Sequence, residues 1–167
     1  MLNLLIPKLY VESIYALDLN YLKERDIKGI IADLDNTLVP WNTDDVCSEL
    51  KEWIKNVREK QFKLCIVSNN SRERGEPLSY QLDVPAYWKA VKPRRKTFRK
   101  ALKEMRLKAE EVAVVGDQIF TDVLGGNRLG LYTILVKPID KKEFIGTRFV
   151  RRIEKIVLTI LYRKGKI

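Results

Sequence analysis

An apolar segment at residues 27–33 ends in two aspartates, Asp33 and Asp35, followed by Thr37, with one residue between each pair. The β-branched apolar run predicts a buried strand. In open α/β sheets, ligands bind beyond the carboxyl ends of the strands. Two carboxylates this close repel each other unless a cation lies between them. A hard divalent cation with oxygen ligands is the natural partner, so the pattern predicts a metal-dependent site.

Three further motifs follow predicted strands, and in chain order they are Ser68-Asn69-Asn70, Lys92-Pro93, and Gly116-Asp117 with Asp122 five residues later. Taken singly, each has a simpler explanation as a turn, a helix cap or the end of a strand. Because they occur together and in order at strand ends, we interpret them as one phosphohydrolase site.

These four motifs resemble, in type and order, the signatures of the haloacid dehalogenase-like (HAD) phosphohydrolases, beginning with Asp-x-Asp-x-Thr. The resemblance covers about residues 27–136. The whole chain, including Pro7-Lys8-Leu9-Tyr10 and Ser13-Ile14-Tyr15, is similar to the YqeG-like branch of subclass IIIA. In this superfamily, an acid two residues after the nucleophile marks phosphatases and phosphotransferases.

The resemblance also implies a role for each site residue. Asp33 would be the nucleophile that forms an aspartyl phosphate, and Asp35 the general acid and then base. Asp33, the backbone carbonyl of Asp35 and Asp117 would hold Mg²⁺, while Ser68 and Lys92 would bind the phosphoryl oxygens. Four further residues would have supporting roles. Asn36 and Thr37 would shape the loop and donate hydrogen bonds, Asp122 would orient Lys92 or a metal-bound water, and Asn69 would support the site.

Strand-like and helix-like segments alternate along the chain, which predicts a parallel sheet covered by helices on both faces. We therefore expect one domain over residues 1–167 with an α/β, three-layer α/β/α, Rossmann-like and mainly parallel fold. Its core would be about 27–136, with flanking extensions at 1–26 and 137–167. The gaps 37–68 and 68–92 are too short for a cap domain, so the site should be open. Strands are predicted at 27–33, 62–67, 87–91, 112–115 and 132–136, helices at 44–59, 97–105 and 121–128, and a poorly periodic segment at 71–82, broken by Gly75 and Pro77.

Composition excludes several kinds of chemistry. The 167 residues include no histidine, which rules out Ser-His-Asp hydrolysis, phosphohistidine chemistry, HExxH zinc sites and two-His iron sites. Cys47 and Cys65 are isolated in sequence, and we expect both to be reduced packing residues of a cytoplasmic protein. The N-terminus lacks the pattern of a signal peptide, and no apolar run is long enough to span a bilayer.

The last segment, 137–167, is strongly basic, with a net charge of +7 out of +10 for the whole chain. A helical face there is predicted to comprise Phe149, Ile153, Ile156, Val157, Ile160 and Leu161, with Arg148, Arg151, Arg152 and Lys155 largely elsewhere. Such a helix could dock on the sheet, bind anionic phospholipid as a peripheral membrane contact at the inner face of the membrane, or bind nucleic acid. The resemblance tilts the choice toward lipid.

Two functions remain to be compared. The first is a Mg²⁺-dependent phosphatase acting on a phosphate monoester. Phosphatidylglycerophosphate is the leading substrate, since a mitochondrial relative of this branch hydrolyses it, and a small phosphomonoester is second. The alternative is a non-catalytic HAD-fold module that contacts RNA or a ribosomal partner through its basic surface. The acids at Asp33, Asp35 and Asp117 argue against it, because a scaffold need not retain mutually repelling carboxylates.

Overall fold

The structure, a computed structural model, describes residues 2–41, 43–140 and 147–166. The strands are β1 (Leu9–Val11), β2 (Gly29–Ala32), β3 (Lys63–Val67), β4 (Ala86–Tyr87), β5 (Val112–Gly116) and β6 (Tyr132–Val136). The helices are α1 (Leu19–Lys23), α2 (Ser48–Glu59), α3 (Arg72–Leu82), α4 (Arg95–Met105), α5 (Leu124–Asn127) and α6 (Thr147–Arg163). Short 3₁₀ turns cover Leu2–Leu5, Ile14–Ala16 and Ala109–Glu111, and a π-helical turn at Ile119–Val123 leads into α5.

The strands form one sheet in the order β1-β6-β5-β2-β3-β4, and every described pair is parallel. This confirms the predicted α/β class. Strands β2 and β5 are neighbours, with Ala32 opposite Val115. Because both strands run the same way, the acids that follow them emerge at one edge of the sheet.

Helices cover both faces of the sheet, as alternation along the strands requires. On β2, Ile30 and Ala32 pack into a core with side chains of α1, α2 and α3, whereas Ile31 packs on the opposite face with α4. On β6, Ile134 and Val136 face α1–α3. Leu135 points to the opposite face, where α6 packs on it. The three-layer α/β/α arrangement is therefore confirmed. Within the described residues, only α2 separates β2 from β3, and only α3 separates β3 from β4, so no cap domain is present.

The N-terminal segment contributes directly to the sheet. Strand β1 pairs with β6, and Leu9 lies opposite Ile134. Leu19 and Leu22 of α1 are buried in the main core. The sheet thus extends beyond residues 27–136, the region that carries the motifs.

Two helix predictions and one cysteine prediction are wrong. Helix α2 begins at Ser48 rather than at residue 44, and Asp44 instead pairs with Arg74. The poorly periodic segment at 71–82 is a continuous helix, α3, which includes Pro77. Cys65 is buried as expected, but Cys47 is exposed.

The glycine at position 75 explains why α3 was not predicted. A Cβ atom on Gly75 would lie 2.1 Å from the ring of Trp88, so this glycine permits close packing and does not end the helix. Ser71 caps the helix, since its Oγ accepts a hydrogen bond from the Arg74 N–H. Pro77 removes only its own N–H from the helix.

The last helix, α6, divides the predicted apolar face. Leu161 is buried and Val157 is partly buried on the core, but Ile153, Ile156 and Ile160 are exposed. The side chains of Arg148 and Phe149 lie outside the described part of the chain. Among the described residues, no helix combines the length and apolar character needed to cross a bilayer.

The inward side of α6 carries charge as well as apolar groups. Glu154 is buried, and Arg151, which the sequence placed away from the apolar face, is mostly buried against the end of β5. The prediction of one docked apolar face is therefore wrong for Ile153, Ile156 and Ile160, whereas binding to a membrane stays a prediction. The helix docks through a mixed polar and apolar face and leaves three isoleucines outside.

Candidate active site

The two central strands bring the first and last motifs together. The Asp33 N–H continues the sheet by donating to the carbonyl of Val115 at 2.9 Å. Strand β2 ends at Ala32 and β5 at Gly116, so Asp33 and Asp117 leave neighbouring strands at the same level. Both residues are buried. This is the edge at which α/β sheets bind their ligands.

The loop after β2 closes tightly around its own backbone. The carbonyl of Leu34 accepts hydrogen bonds from the N–H groups of Leu38 and Val39. Asn36 adopts φ 62°, a left-handed conformation that asparagine tolerates better than most residues. The Thr37 hydroxyl lies 3.4 Å from Oδ1 of Asp117 and donates to it. The loop therefore connects the first motif to the fourth.

Lys92 bridges two of the acids. Its Nζ lies 2.8 Å from Oδ1 of Asp33 and 2.7 Å from Oδ1 of Asp122, and the side chain is buried. Burial alone would lower the pKa of Lys92, but the carboxylates of Asp122 and Asp33 raise it above its ordinary value. Lys92 is therefore charged, and it balances part of the negative charge in the site.

Asn69 fixes the backbone that carries this lysine. Its Oδ1 accepts a hydrogen bond from the Lys92 N–H at 2.6 Å, and its Nδ2 donates to the Lys92 carbonyl at 3.4 Å. The segment after β3 thus holds the third motif in place, which gives Asn69 a positioning function consistent with its predicted supporting role.

Ser68 lies at the end of β3, beside β2. It is buried, its N–H donates to the carbonyl of Tyr87, and its Oγ accepts a hydrogen bond from the Asn70 N–H at 3.1 Å. The hydroxyl proton is left to donate elsewhere, which suits a group that binds a phosphoryl oxygen.

Three carboxylates form a compact buried cluster. One oxygen from each of Asp33, Asp117 and Asp122 lies within 4.8 Å of the other two. The pKa of Asp117 is raised to about 8, chiefly by burial and also by the charges of Asp33 and Asp122, although Arg151 opposes the shift. Burial also raises the pKa of Asp122 to about 6, although Lys92 opposes the shift.

This donor set fits a hard divalent cation. The raised pKa values of Asp117 and Asp122 show that their carboxylates are destabilised as anions even though Arg151 and Lys92 lie beside them. A cation with oxygen ligands would remove that cost. The carboxylate of Asp35 does not belong to this cluster, and ligation through its backbone carbonyl stays a prediction.

The glycine of the fourth motif makes room for Asp122. A Cβ on Gly116 would lie 2.2 Å from the carboxyl group of Asp122. The π-helical turn carries Asp122 back over the end of β5, where its Oδ2 accepts from the Gln118 N–H at 3.3 Å. The Gly-Asp-x4-Asp spacing therefore has a packing reason as well as a chemical one.

Four residues of the site were not predicted. Arg74 and Asn70 bind the two oxygens of Asp35, and Arg151 with Glu154 reaches the site from α6. Asn70 follows the predicted Ser68 and Asn69 directly, so its position in that motif was a usable signal. The two arginines gave no local signal, because each is far in sequence from the aspartate that it contacts.

The sheet topology, the four motifs at its edge and the buried carboxylates with Lys92 define a HAD-type phosphatase. A family model described as Mitochondrial PGP phosphatase matches residues 2–140. The chain belongs to this family and is a phosphomonoester hydrolase.

Two relatives extend the match. The chain is 45% identical over 162 residues to the Bacillus subtilis (strain 168) protein named "Probable phosphatase YqeG", covering 97% of this chain and 94% of that one. It is 28% identical over 171 residues to the Arabidopsis thaliana phosphatidylglycerophosphate phosphatase 1, covering 96% of this chain but 49% of that protein. These relatives do not favour a non-catalytic binding module.

Solved structures agree on the fold. The cobalt-bound deoxy-D-mannose-octulosonate 8-phosphate phosphatase of Haemophilus influenzae superimposes with a TM-score of 0.53 at 16% sequence identity, covering 67% of this chain and 69% of that one. At this identity the likeness concerns the fold alone.

Proposed function

We propose that the protein is a Mg²⁺-dependent phosphatase that hydrolyses its substrate through an aspartyl phosphate on Asp33. The observation that carries the proposal is the buried cluster of Asp33, Asp117 and Asp122 with Lys92 between two of them. Uncatalysed hydrolysis of phosphate monoesters is among the slowest known reactions, and a covalent intermediate divides it into two easier steps.

In the first step, a carboxylate oxygen of Asp33 forms a bond to phosphorus while the bond from phosphorus to the leaving oxygen breaks. The leaving oxygen takes a proton from Asp35, which becomes a carboxylate. Lys92 and the Ser68 hydroxyl hold the phosphoryl oxygens. The alcohol then departs and leaves a phosphorylated Asp33.

In the second step, Asp35 accepts a proton from a water molecule as its oxygen attacks phosphorus. The bond between phosphorus and Asp33 breaks, which releases inorganic phosphate and restores the Asp33 carboxylate. Asp35 ends the cycle protonated, as it began, so atoms and charges balance.

The proposed ligands of Mg²⁺ are the carboxylates of Asp33 and Asp117 and the backbone carbonyl of Asp35. When bound, the ion would neutralise the carboxylates and polarise the phosphoryl group. Asp122 would orient Lys92, as their ion pair supports.

Hydrolysis of p-nitrophenyl phosphate with and without Mg²⁺ tests this proposal. We expect turnover to require the ion, and Asp33→Asn to reduce it by several orders of magnitude with an unchanged circular dichroism spectrum. Acid quenching with ³²P-labelled substrate should trap a label on the wild-type protein that hydroxylamine removes. Substantial activity in Asp33→Asn would contradict the role of Asp33 as nucleophile.

The proposed substrate is phosphatidylglycerophosphate. The name of the family and that of the Arabidopsis relative support it, and a site with no cap domain among the described residues suits a substrate held in a membrane. Phosphate release from this lipid in mixed micelles should exceed release from soluble sugar phosphates and glycerol 3-phosphate. A clear preference for a soluble phosphomonoester would instead support the second substrate class.

We further propose that the protein works as a peripheral enzyme on the cytoplasmic side of an anionic membrane, and that α6 provides the contact. Its exposed Ile153, Ile156 and Ile160 form an apolar strip, and Arg152 and Lys155 beside them are exposed. An apolar strip flanked by basic residues is typical of interfacial helices. Nucleic acid would be bound through the basic residues by its phosphates, which leaves the isoleucine strip without a role.

A further inference from the structure

Two side chains hold the carboxylate of Asp35, one on each oxygen. Nη2 of Arg74 donates to Oδ1 at 3.1 Å, and Nδ2 of Asn70 donates to Oδ2 at 3.1 Å. Asp35 follows β2, whereas both donors follow β3. The plane of the carboxylate is therefore fixed from a neighbouring strand and does not depend on its own loop.

Arg74 is itself held firmly. The same Nη2 donates to the carbonyl of Thr43 at 2.6 Å, and Nη1 donates to Oδ1 of Asp44 at 3.2 Å. Arg74 lies in the first turn of α3, and its side chain is only 13% exposed. A planar guanidinium with several fixed contacts loses little further freedom when it orients a carboxylate.

The contact with Asp35 goes beyond what fixing the loop would require. The Thr43 carbonyl and Asp44 already hold Arg74 to the loop before α2, and Asp44, at 82% exposure, could pair with any nearby cation. Arg72, two residues earlier, shows the ordinary alternative, since it is exposed and pairs with Glu76 on its own helix. Arg74 instead donates to Asp35, the one carboxylate of the first motif that lies outside the carboxylate cluster.

We propose that Arg74 is a positioning residue for proton transfer, holding Asp35 in the orientation that delivers its proton to the leaving oxygen. This inference rests on the proposed role of Asp35 as acid and base. As the bond to the leaving oxygen breaks, the proton moves from Asp35 to that oxygen, and the negative charge left on Asp35 is met by Arg74 and Asn70.

The dependence of kcat/KM on the basicity of the leaving group distinguishes this role from a structural one. A p-nitrophenolate ion leaves at neutral pH without a proton, whereas a more basic phenolate needs one in the transition state. The value of kcat/KM covers substrate binding and phosphorylation of Asp33 but not hydrolysis of the aspartyl phosphate, so it reports Asp35 as acid and not as base. Positioned general acids contribute about 10²–10⁴-fold, and loss of orientation should forfeit part of that contribution.

The experiment measures kcat/KM for a series of substituted phenyl phosphates, from p-nitrophenyl to unsubstituted phenyl phosphate, with saturating Mg²⁺. We expect Arg74→Gln to lose less than about 10-fold on p-nitrophenyl phosphate and about 100-fold on phenyl phosphate. Arg74→Lys should fall between wild type and Arg74→Gln. Arg72→Gln is the matched control on the same helix and should follow the wild-type series.

Asp44→Asn separates the two functions of Arg74, because it removes the exposed ion pair and leaves the contact with Asp35 in place. The kcat/KM of Asp44→Asn should depend on the leaving group as that of wild type does. In a double-mutant cycle, Arg74→Gln should add little to Asp35→Asn on phenyl phosphate, since the two residues act as one unit. If Arg74→Gln does not fold, Arg74→Lys replaces it, both in the series and in the cycle with Asp35→Asn.

A loss that is equal across the series, or effects of Arg74→Gln and Asp35→Asn that simply add, would overturn the inference while leaving the phosphatase mechanism intact. Wild type without activity on any phenyl phosphate would instead refute the proposed function itself.

Discussion

Arg151 in the last helix makes two contacts with Asp117, which follows β5 and lies 34 residues earlier in the sequence. Its Nη1 donates to the backbone carbonyl of Asp117 at 2.6 Å, and its Nη2 contacts the carboxylate. Glu154 holds the same Nη1 at 3.0 Å and also accepts from the Phe120 N–H. Helix α6 lies beyond residues 2–140, which match the family model, yet it contributes a cation to the carboxylate cluster.

The first prediction concerns this ion pair. Arg151→Gln leaves the buried Asp117 carboxylate without its nearest cation, and breaking a buried pair costs about 3 kcal/mol. We expect the Tm of the metal-free protein to fall by roughly 6–12 °C, at about 2–4 °C per kcal/mol for a chain of this size. Thermal denaturation followed by circular dichroism measures it, with Arg152→Gln, an exposed neighbour, as the control. Equal Tm values for wild type and Arg151→Gln would show that the pair contributes nothing.

The second prediction separates the ligands of the proposed metal. Asp117→Asn removes a carboxylate from the cluster and should weaken Mn²⁺ binding by about 10-fold or more. Asp35→Asn keeps the backbone carbonyl and should change the affinity far less. Titration of free Mn²⁺ by electron paramagnetic resonance gives both values without relying on activity. Equal losses of affinity in the two variants would contradict the proposed division of roles.

Local patterns were enough to predict five of the six described strands and the four motifs, but not β1 at Leu9–Val11, which belongs to a segment expected to be an extension. Each strand is a short apolar run that ends in polar residues, and the alternation of strands with helices fixes a parallel sheet. Parallel strands then carry Asp33, Ser68, Lys92 and Asp117 to one edge. The same regularity correctly predicted β6 at residues 132–136.

Contacts between distant segments could not be predicted in this way. Arg74 and Arg151 reach the site from helices whose periodicity reports only which residues are apolar. In α6, the buried face contains Arg151 and Glu154 because the Asp117 carboxylate attracts a cation. A helical wheel that ranks residues by hydrophobicity therefore selects the isoleucines, which the structure leaves exposed.

The third prediction concerns the two free cysteines. Burial raises the pKa of the Cys65 thiol to about 12, so Cys65 should not react with Ellman's reagent in the native protein at pH 8. Cys47 is exposed, with its Sγ 3.6 Å from the Tyr15 hydroxyl, and should react. We expect one reactive thiol per chain in the native wild-type protein, two in denaturant, and none in native Cys47→Ser. A native Cys47→Ser protein that still reacts rapidly would contradict the burial of Cys65.

The last prediction tests the contact between α6 and a membrane. Wild type should sediment with vesicles that contain phosphatidylglycerol and be released as salt rises, since each basic residue near such a surface contributes about 1 kcal/mol, screened within a Debye length. Replacing Ile153, Ile156 and Ile160 with serine should weaken binding at all salt concentrations. Because these side chains are exposed, at 60% for Ile156, the Tm should not fall.

A double variant of α6 and a matched double variant of α2 separate the contribution of charge to vesicle binding from that of the apolar strip. Arg152→Gln with Lys155→Gln should reduce the salt-sensitive part of vesicle binding and the turnover of lipid phosphate, while hydrolysis of p-nitrophenyl phosphate stays at the wild-type rate. The matched control is Lys51→Gln with Lys55→Gln on α2, which removes the same charge from the opposite face of the sheet and should bind vesicles more strongly than the α6 variant. Equal losses of vesicle binding in the two charge variants would show that α6 is not the membrane contact. Binding to neutral vesicles as strong as to anionic ones would show that the basic residues contribute nothing to it.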